Sequence, residues 1–435
     1  MPKKYFLVIP FLFAAGISVA GAAQKDISTA GTVMVGKAAA KKAAVHAAAS
    51  ASVPVISGAS APEAATAIAP APAPATSVGK GGVDKTTTSA APAATEQPMF
   101  KFSGFGSLGV SHSSLNQGDY VLSDSMPKGV GRSSEWTESN NTRIAAHVAA
   151  NFTPKISGIL QVDAEYQANG TYNPKVEMAN VKYAFMPNFY MRAGRLAIPI
   201  FIDSENHDIG YSYAWVNPPV DLYQLSIHTT DGVDATYRSE IGEAVNSIKA
   251  MYGNKSTSKD MWGLFDKLEY GQATFHAGYQ RRRSSTRNLL SGVTDAWIQN
   301  SDLSVGASYD PGDWFAISEW VQRRSTFKIN AMYVSAGYRI NKFTPYLTYG
   351  HISPGSFLTG YPPPTAAAIE QANRAQSTVS LGVRWDFMRN YDFKVQVDQV
   401  TLSDNSNGYL INVPPGVTLY GSKFYVISAV VDFVF

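Results

Sequence analysis

The last eleven residues of the chain, Tyr425 to Phe435, read YVISAVVDFVF, and this stretch decides the fold. A strict period of two over this length is typical of a β-strand. The alternate positions form an apolar or aromatic face, made of Tyr425, Ile427, Ala429, Val431, Phe433 and Phe435. The stretch is long enough to cross a bilayer as a tilted strand, which takes roughly 9 to 11 residues. Taken alone, it fits both a transmembrane barrel and the edge of a soluble sandwich.

The same alternation recurs upstream. Asn141 to Phe152 and Ile156 to Tyr166 each have one apolar face, while the second segment carries Gln161, Asp163 and Glu165 on its other face. In a soluble sandwich the apolar face points inward. In a membrane barrel it points to lipid and the polar face lines the lumen. Periodicity does not distinguish the two arrangements.

The spacing of connections does distinguish them. Seven short turns lie at Thr153 to Lys155, Met186 to Asn188, Glu240 to Glu243, Tyr270 to Gln272, Pro311 to Asp313, Asn341 to Lys342 and Met388 to Asn390. The longest polar stretches between them are Ser113 to Ser139, Leu196 to Thr230, Arg282 to Ser301, His351 to Ala375 and Leu402 to Gly421. Short turns at one end and long loops at the other are typical of outer-membrane barrels. Seven hairpins plus a first and a last strand predict sixteen strands.

Large aromatic residues cluster at the predicted strand ends. They flank the short turns (Phe152, Phe185, Phe189, Tyr309, Tyr338, Phe343, Phe387 and Tyr391) or lie near the loop ends (Tyr166, Tyr252, Tyr279 and Tyr349). Two aromatic belts are expected at the two interfaces of a membrane. A soluble fold would instead place large aromatics in the middle of its strands, so this distribution favours the barrel.

Residues 99–435 therefore resemble the sixteen-stranded porins of Gram-negative outer membranes. The resemblance rests on strand count, turn alternation, loop position and the terminal Phe435. It implies an all-β, transmembrane antiparallel β-barrel located in the outer membrane. It also implies recognition of the last strand by the barrel assembly machinery, contact with outer-membrane lipid and lipopolysaccharide, and a homotrimer.

The first 98 residues differ in composition from the rest. Lys3 and Lys4 precede an apolar run and then small residues up to Ala23, which predicts a signal peptide over 1–23. Residues 24–98 are rich in Ala, Pro, Ser and Thr and predict a flexible linker. Its lysines leave open a contact with the cell wall, beside the simpler interpretation of an inert spacer. The chain has no cysteine, so no disulfide holds the exported fold.

The barrel region is close to neutral. The first 98 residues hold eight of the 36 Lys and Arg and four of the 33 Asp and Glu, which leaves 28 basic and 29 acidic residues in 99–435. This balance gives no reason to expect nucleic acid as a partner.

A barrel of sixteen strands is wide enough for a water-filled channel, and the predicted inward positions are polar or small. The long loop at 196–230 has no Lys or Arg and carries four acids, Asp203, Glu205, Asp208 and Asp221. In the porins that the chain resembles, the loop at this position folds into the lumen and narrows it. We expect the acids to face wall arginines across this constriction, namely Arg192, Arg195, Arg238, Arg339 and Arg384. The alternative is that these arginines bridge neighbouring strands. The acidic-Phe-Gly-Gly element of some general porins is absent from the loop.

Catalytic motifs are weak. Gly104 to Gly109 matches G-x-G-x-x-G, but no helix start follows it, as a dinucleotide site requires. No histidine is joined by spacing to a nucleophile, and no cluster has metal-ligand spacing. We therefore expect no enzyme, no cofactor and no metal. The sequence favours a porin for passive diffusion of small hydrophilic solutes. An anion- or sugar-selective porin, a tether between outer membrane and cell wall, and an adhesin stay open.

Overall fold

A computed structural model describes residues 99–123, 125–224, 227–286, 296–358 and 373–435. The predicted signal peptide and the linker at 24–98 lie outside the described residues. Sixteen long strands dominate the described part: β1 Phe100–Ser113, β2 Arg143–Asn151, β3 Ile156–Glu165, β4 Lys175–Met186, β5 Phe189–Ala197, β6 Thr229–Ile241, β7 Ala244–Lys255, β8 Ser258–Tyr270, β9 Ala273–Thr286, β10 Ala296–Tyr309, β11 Trp314–Arg324, β12 Phe327–Tyr338, β13 Phe343–Ile352, β14 Gln376–Met388, β15 Tyr391–Leu402 and β16 Lys423–Val434.

These strands form one closed antiparallel barrel. Each pairs with its neighbours in sequence, and β1 pairs with both β2 and β16, so that Phe105 lies opposite Ala145 on one side and Val434 on the other. Closure leaves no free sheet edge and satisfies the backbone of every strand, which a membrane requires. The predicted all-β barrel of sixteen strands is confirmed.

All seven short turns lie where the sequence predicts them. Five contain a residue with positive φ, a conformation that Gly and Asn adopt most readily: Gly242, Gly271, Gly312, Asn341 and Asn390. The long-loop end is less uniform than predicted, since only residues 256–257 separate β7 from β8. Strands β9 and β10 also extend into the predicted loop at Arg282 to Ser301.

The apolar face of the strands points outward. Phe102, Leu108 and Leu381 are each at least 60 % exposed, whereas Asp392 and Lys394 on the opposite face are fully buried. Exposed aromatic residues form a belt at each end of this surface. The long-loop belt contains Tyr252, Trp262, Tyr279, Tyr349 and Tyr425, and the short-turn belt contains Tyr237, Tyr270, Tyr309, Tyr338, Phe343 and Trp385. Of the aromatics predicted for the belts, Tyr166 is instead buried. The structure thus has an apolar, lipid-facing outer surface, and charged side chains such as Asp392 and Lys394 lie on the inner face.

Two glycines of β1 accommodate the rings of β16. Gly104 exchanges two backbone hydrogen bonds with Phe435, of 2.8 and 3.0 Å. A Cβ atom at Gly104 would collide with the ring of Phe435, and one at Gly106 would collide with the ring of Phe433. The G-x-G-x-x-G match is thus explained by the closure of the barrel.

Loops from opposite ends of the sequence meet above the barrel. A small sheet joins Asp119–Tyr120, Val130–Gly131 and Leu410–Ile411. Its apolar side packs on Val400 of β15 and Phe424 of β16. The β1–β2 loop and the β15–β16 loop therefore form one structural unit. No helix in the described part of the chain is long and apolar enough to cross a bilayer.

Candidate functional site: a loop inside the barrel

Residues 198–224 and 227–228, between β5 and β6, lie inside the barrel, and we call them the lumen loop. They contain a single 3-10 turn, Gly210–Ser212, and a short α-helix, Val220–Tyr223. Hydrogen bonds join the loop to inward-facing side chains on widely separated strands, including Arg143 of β2, His276 of β9 and Lys394 of β15. A segment held by such distant strands extends across the interior.

One wall of the barrel is apolar on its inner face, which the sequence analysis did not predict. Inward-facing residues of β7, β8, β11, β12 and β13 pack on buried residues of the lumen loop. The wall contributes Met251, Met261, Phe265, Ile317, Val321, Tyr333 and Tyr346, and the loop contributes Ile198, Ile200, Phe201, Tyr213, Trp215 and Leu222. Burying a large apolar side chain contributes about 1.5–3 kcal/mol. The apolar cluster therefore fixes the loop against this half of the wall.

Glu319 of β11 anchors both ends of the lumen loop. Its carboxylate accepts hydrogen bonds from the backbone N–H of Ile202 at 2.8 Å and from the Tyr223 hydroxyl at 2.6 Å. Tyr333 of β12 donates a third bond at 2.8 Å. Because Glu319 is only 1 % exposed, these bonds replace the water that a buried carboxylate would otherwise need.

The tip of the loop, residues 210–213, is held by two cationic side chains of the wall, Lys394 and Arg384. Lys394 donates a 2.6 Å hydrogen bond to the carbonyl oxygen of Gly210 and lies 2.9 Å from a carboxylate oxygen of Asp432. Arg384 donates to the carbonyl oxygens of Tyr211 and Tyr213, at 2.7 and 3.0 Å. The tip is therefore docked on the inner face of β14 to β16.

Glu205 is the acidic side chain of the loop that is most exposed to the lumen. One of its oxygens lies 2.5 Å from the Lys249 ammonium and 3.4 Å from the Arg192 guanidinium, and its side chain is 46 % exposed. Burial acts to raise the pKa of Glu205, but the two cations outweigh it and lower that pKa to about 2. Arg192 is held in place by Asp234 of β6 at 2.6 Å. Glu205 is thus ionised at every physiological pH.

Asp208 lies deeper, at the centre of a polar cluster. Its carboxylate is 3.0 Å from Arg143 of β2 and 3.2 Å from the Nε2 atom of His207. The ring of His207 stacks on that of His228 with their centroids 4.3 Å apart. Burial acts to raise the pKa of Asp208, but His207 and Arg143 hold it below its usual range.

The other two predicted acids have no ion pair among the described residues. Asp221 is 1 % exposed and accepts a 2.8 Å hydrogen bond from Gln376 of β14. Burial raises the pKa of Asp221 to about 6, against the lowering effect of Gln376 and Thr378. Burial likewise raises the pKa of Asp203 to about 6. Asp221 therefore lies in the interior of the loop, whereas Asp203 is half-buried.

The five predicted arginines separate into three groups. Arg192 and Arg384 contact the lumen loop, as described above. Arg339 lies at the short-turn end and pairs with Asp310 at 2.7 Å, as in the alternative of bridging neighbouring strands. Arg195 also bridges strands, to Asp231 at 2.7 Å, and it faces outward because a strand places residues 192 and 195 on opposite faces. Arg238 is exposed near the short-turn end of β6 and contacts none of the four acids.

Sequence reasoning missed several wall residues that contact the loop, among them Arg143, Lys249 and Glu319. Each has at least one apolar neighbour that faces outward, so the period of two could have identified them as inward-facing. Their partners could not have been identified, because Glu319 is separated from Ile202 by 117 residues. Within the described ranges, no group of three or more His, Asp or Glu is arranged to hold a metal ion.

Comparison with known proteins gives matches in fold alone. No family model matches the chain, and no curated protein matches it in sequence. Among solved structures, the outer membrane protein OmpT of Vibrio cholerae is 15% identical, with a TM-score of 0.51 over 78% of this chain and 99% of that chain. Its trimer form is 14% identical, with a TM-score of 0.50 over 78% and 100% of the two chains.

An anion-selective porin from Comamonas acidovorans is 11% identical, with a TM-score of 0.51 over 77% of this chain and 99% of that chain. The match spans almost the whole of each solved barrel and about four fifths of this chain. The sixteen-stranded closure, the outward apolar face and these matches agree: the chain has the barrel fold of Gram-negative outer-membrane porins.

Proposed function

We propose that the protein is an outer-membrane porin through which small hydrophilic solutes and ions diffuse passively, and that it is not an enzyme. The observation that carries this proposal is the lumen loop: a segment docked inside a wide, closed barrel leaves Glu205 exposed to the interior. A loop of this kind limits the width of a channel while the barrel wall keeps it open. Residues 1–23 would direct export, and 24–98 would be a periplasmic linker that contacts the cell wall or acts as a spacer.

We place the passage on one side of the lumen. Among the described residues, the loop makes hydrogen bonds or apolar contacts with β2, β5, β7 to β9 and β11 to β15, and none with β3 or β4. Solutes would therefore pass between residues 203–208 of the loop and the wall of β3 and β4. That wall carries accessible charges of both signs, Lys175 and Glu165, whose side chains are 36% and 30% exposed. Such a passage favours hydrated polar solutes over apolar ones.

Glu205 would be the main charge that a solute meets. Its cationic partners are more covered, since the side chains of Lys249 and Arg192 are 12% and 15% exposed. Asp203, Asp208 and Asp221 would shape the constriction from inside the loop, together with Arg192 and Arg384. Arg195, Arg238 and Arg339 have no contact with the loop and are left out of the proposed constriction.

The test is ion conduction by the purified protein in a planar bilayer. We expect stepwise ohmic currents, and a reversal potential in a salt gradient that Glu205→Gln shifts towards anions, changing the permeability ratio by roughly twofold. Asp231→Asn is the control, because Asp231 is equally exposed but faces outward. An electrically silent wild-type protein would favour the tether or adhesin, and a potential unchanged in Glu205→Gln would refute the constriction. Anion preference of the wild-type channel would favour an anion-selective porin.

The outer surface suggests the partners. On β2 to β4 several outward residues are small, including Ala146, Ala150, Gly158 and Ala164, which suits the close packing of a homotrimer. On β9 to β12, Arg281, Arg324 and Lys328 lie in one cross-strand row at the long-loop edge of the apolar surface. That row would bind phosphates of outer-leaflet lipid or lipopolysaccharide. The barrel assembly machinery would recognise the last strand, β16, together with Phe435 that follows it.

A further inference from the structure

Asp266 of β8 points outward from the middle of the lipid-facing wall. It alternates with the inward-facing Phe265, which is 3% exposed, and shares its face with Leu264, which is 53% exposed. Trp262 and Tyr270, in the two aromatic belts, lie four residues away on either side of it. Among the described outward positions between the belts, Asp266 is the only charged side chain.

Its one described hydrogen bond is to a neighbour on the same face. The side-chain amide of Asn246, on β7, donates to one carboxyl oxygen of Asp266 at 2.6 Å. This bond leaves the second carboxyl oxygen of Asp266, the second N–H of Asn246 and the carbonyl oxygen of Asn246 without a described partner. Polar groups exposed to hydrocarbon are costly when they lack hydrogen bonds. A barrel surrounded only by lipid would gain nothing from this pair.

The surface around the pair permits close approach of another backbone. Ala277 of β9 lies directly opposite Asp266 in the strand register, and Ala250 of β7 shares the same face. Both alanines are exposed. Small residues next to a hydrogen-bonding side chain are what protein contacts inside a membrane use.

We infer that the Asn246–Asp266 pair is a contact site for a second copy of this barrel. The pair is self-complementary, because it offers both an amide donor and a carboxyl acceptor. A twofold axis beside Asp266 would let the amide of each copy bond the carboxyl of the other, which is the geometry of an isologous interface. The site lies on β7 to β9, away from the small-residue face of β2 to β4, so it would link barrels beyond the proposed trimer.

Cysteine cross-linking tests this contact, since the chain has no cysteine of its own. Ala277→Cys should give a disulfide-linked dimer on mild oxidation of membranes that contain the full-length protein. Ala336→Cys is the matched control, because Ala336 is also exposed on the outer face but belongs to β12. Membrane fractionation of each variant tests separately that the barrel lies in a membrane, on which the inference rests.

The contact should depend on the polar pair. In the Ala277→Cys background, Asp266→Leu should lower the dimer yield by roughly tenfold, the effect of losing two symmetry-related hydrogen bonds in a membrane. Asp266→Asn keeps donor and acceptor groups and should retain the dimer. If the pair acts only within one barrel, Asp266→Leu would change the heat resistance of the barrel and leave the dimer yield unchanged, which would overturn the inference. Equal yields from Ala277→Cys and Ala336→Cys, no dimer, or a cross-link to a different protein would overturn the inference.

Discussion

Two acids of the lumen loop show how environment separates residues of the same chemistry. Glu205 lies beside Lys249 and Arg192, which hold its pKa at about 2, whereas burial raises the pKa of Asp221 to about 6. The sequence predicts both as acids of one loop. It does not predict this difference, because the neighbours that set each pKa come from strands distant in the sequence.

Docking of the lumen loop should weaken as the pH rises from about 4 to about 6. Asp221 keeps its proton up to about pH 6 in the docked loop, but loses it near pH 4 once exposed. Docking is thus most favourable below pH 4, and the loss approaches about 3 kcal/mol above pH 6. Hydrogen exchange of amides 213–224, corrected for intrinsic rates, should report this slope.

Asp221→Asn should reduce the pH slope by about half, because it removes one of the two loop carboxyl groups whose pKa is raised to about 6, the other being Asp203. Glu205→Gln is the comparison: the pKa of Glu205 is lowered to about 2, so its titration strengthens docking only up to about pH 5, and its removal should leave the loss of docking between pH 5 and pH 6 unchanged. A slope that is unchanged in Asp221→Asn would assign the effect to other groups, such as Asp203 or the neighbouring Asp398 of β15.

Lys394→Met should destabilise the barrel strongly. Lys394 and Asp432 are a buried ion pair, at 0% and 1% side-chain exposure, and removing one partner leaves a buried charge, at a cost of about 3–5 kcal/mol. Denaturant unfolding in detergent measures the change. Lys267→Met should cost no more than about 1 kcal/mol, since its pair with Glu269 is exposed. Recovery in Lys394→Met/Asp432→Asn is expected, and its absence would contradict this reasoning.

At the scale of elements, strands and turns were predictable because their signals are local. Alternation and turn residues such as Gly271 and Asn341 act over a few positions. The inner apolar wall was not predictable from them: residues such as Phe265 and Tyr333 face a loop whose path depends on the closed barrel. Arg195 is a different case. The period of two along a strand already places Arg195 on the opposite face from Arg192, so its outward position was predictable from the sequence.

The seam between β1 and β16 should tolerate no large side chain at Gly106. Gly106→Leu would collide with the ring of Phe433 and should lower the free energy of unfolding by about 1–3 kcal/mol. Urea unfolding in lipid or detergent provides the measurement. Val110→Leu, on the outer face of the same strand, should have little effect. Combining Gly106→Leu with Phe433→Ala should restore part of the loss, and no restoration would exclude ring overlap as the cause.

At the scale of the whole molecule, the outward apolar surface determines solubility. Residues such as Phe102 and Leu381 expose most of their side chains along a continuous surface. Such a surface needs a membrane or detergent to cover it. We therefore expect the purified protein to aggregate when detergent is diluted below its micelle concentration, as measured by light scattering. A monodisperse protein in plain buffer would contradict the transmembrane assignment.

The sheet shared by the β1–β2 and β15–β16 loops also has a consequence for immune recognition. Arg132 donates a hydrogen bond to the carbonyl oxygen of Asn412, and the side-chain amide of Asn412 donates one to the carbonyl oxygen of Pro127. Exposed residues almost 300 positions apart in the sequence therefore form one surface. An antibody raised against the intact cell should therefore bind an epitope that neither loop peptide reproduces. Such an antibody would report whether newly made barrels at the cell surface have closed.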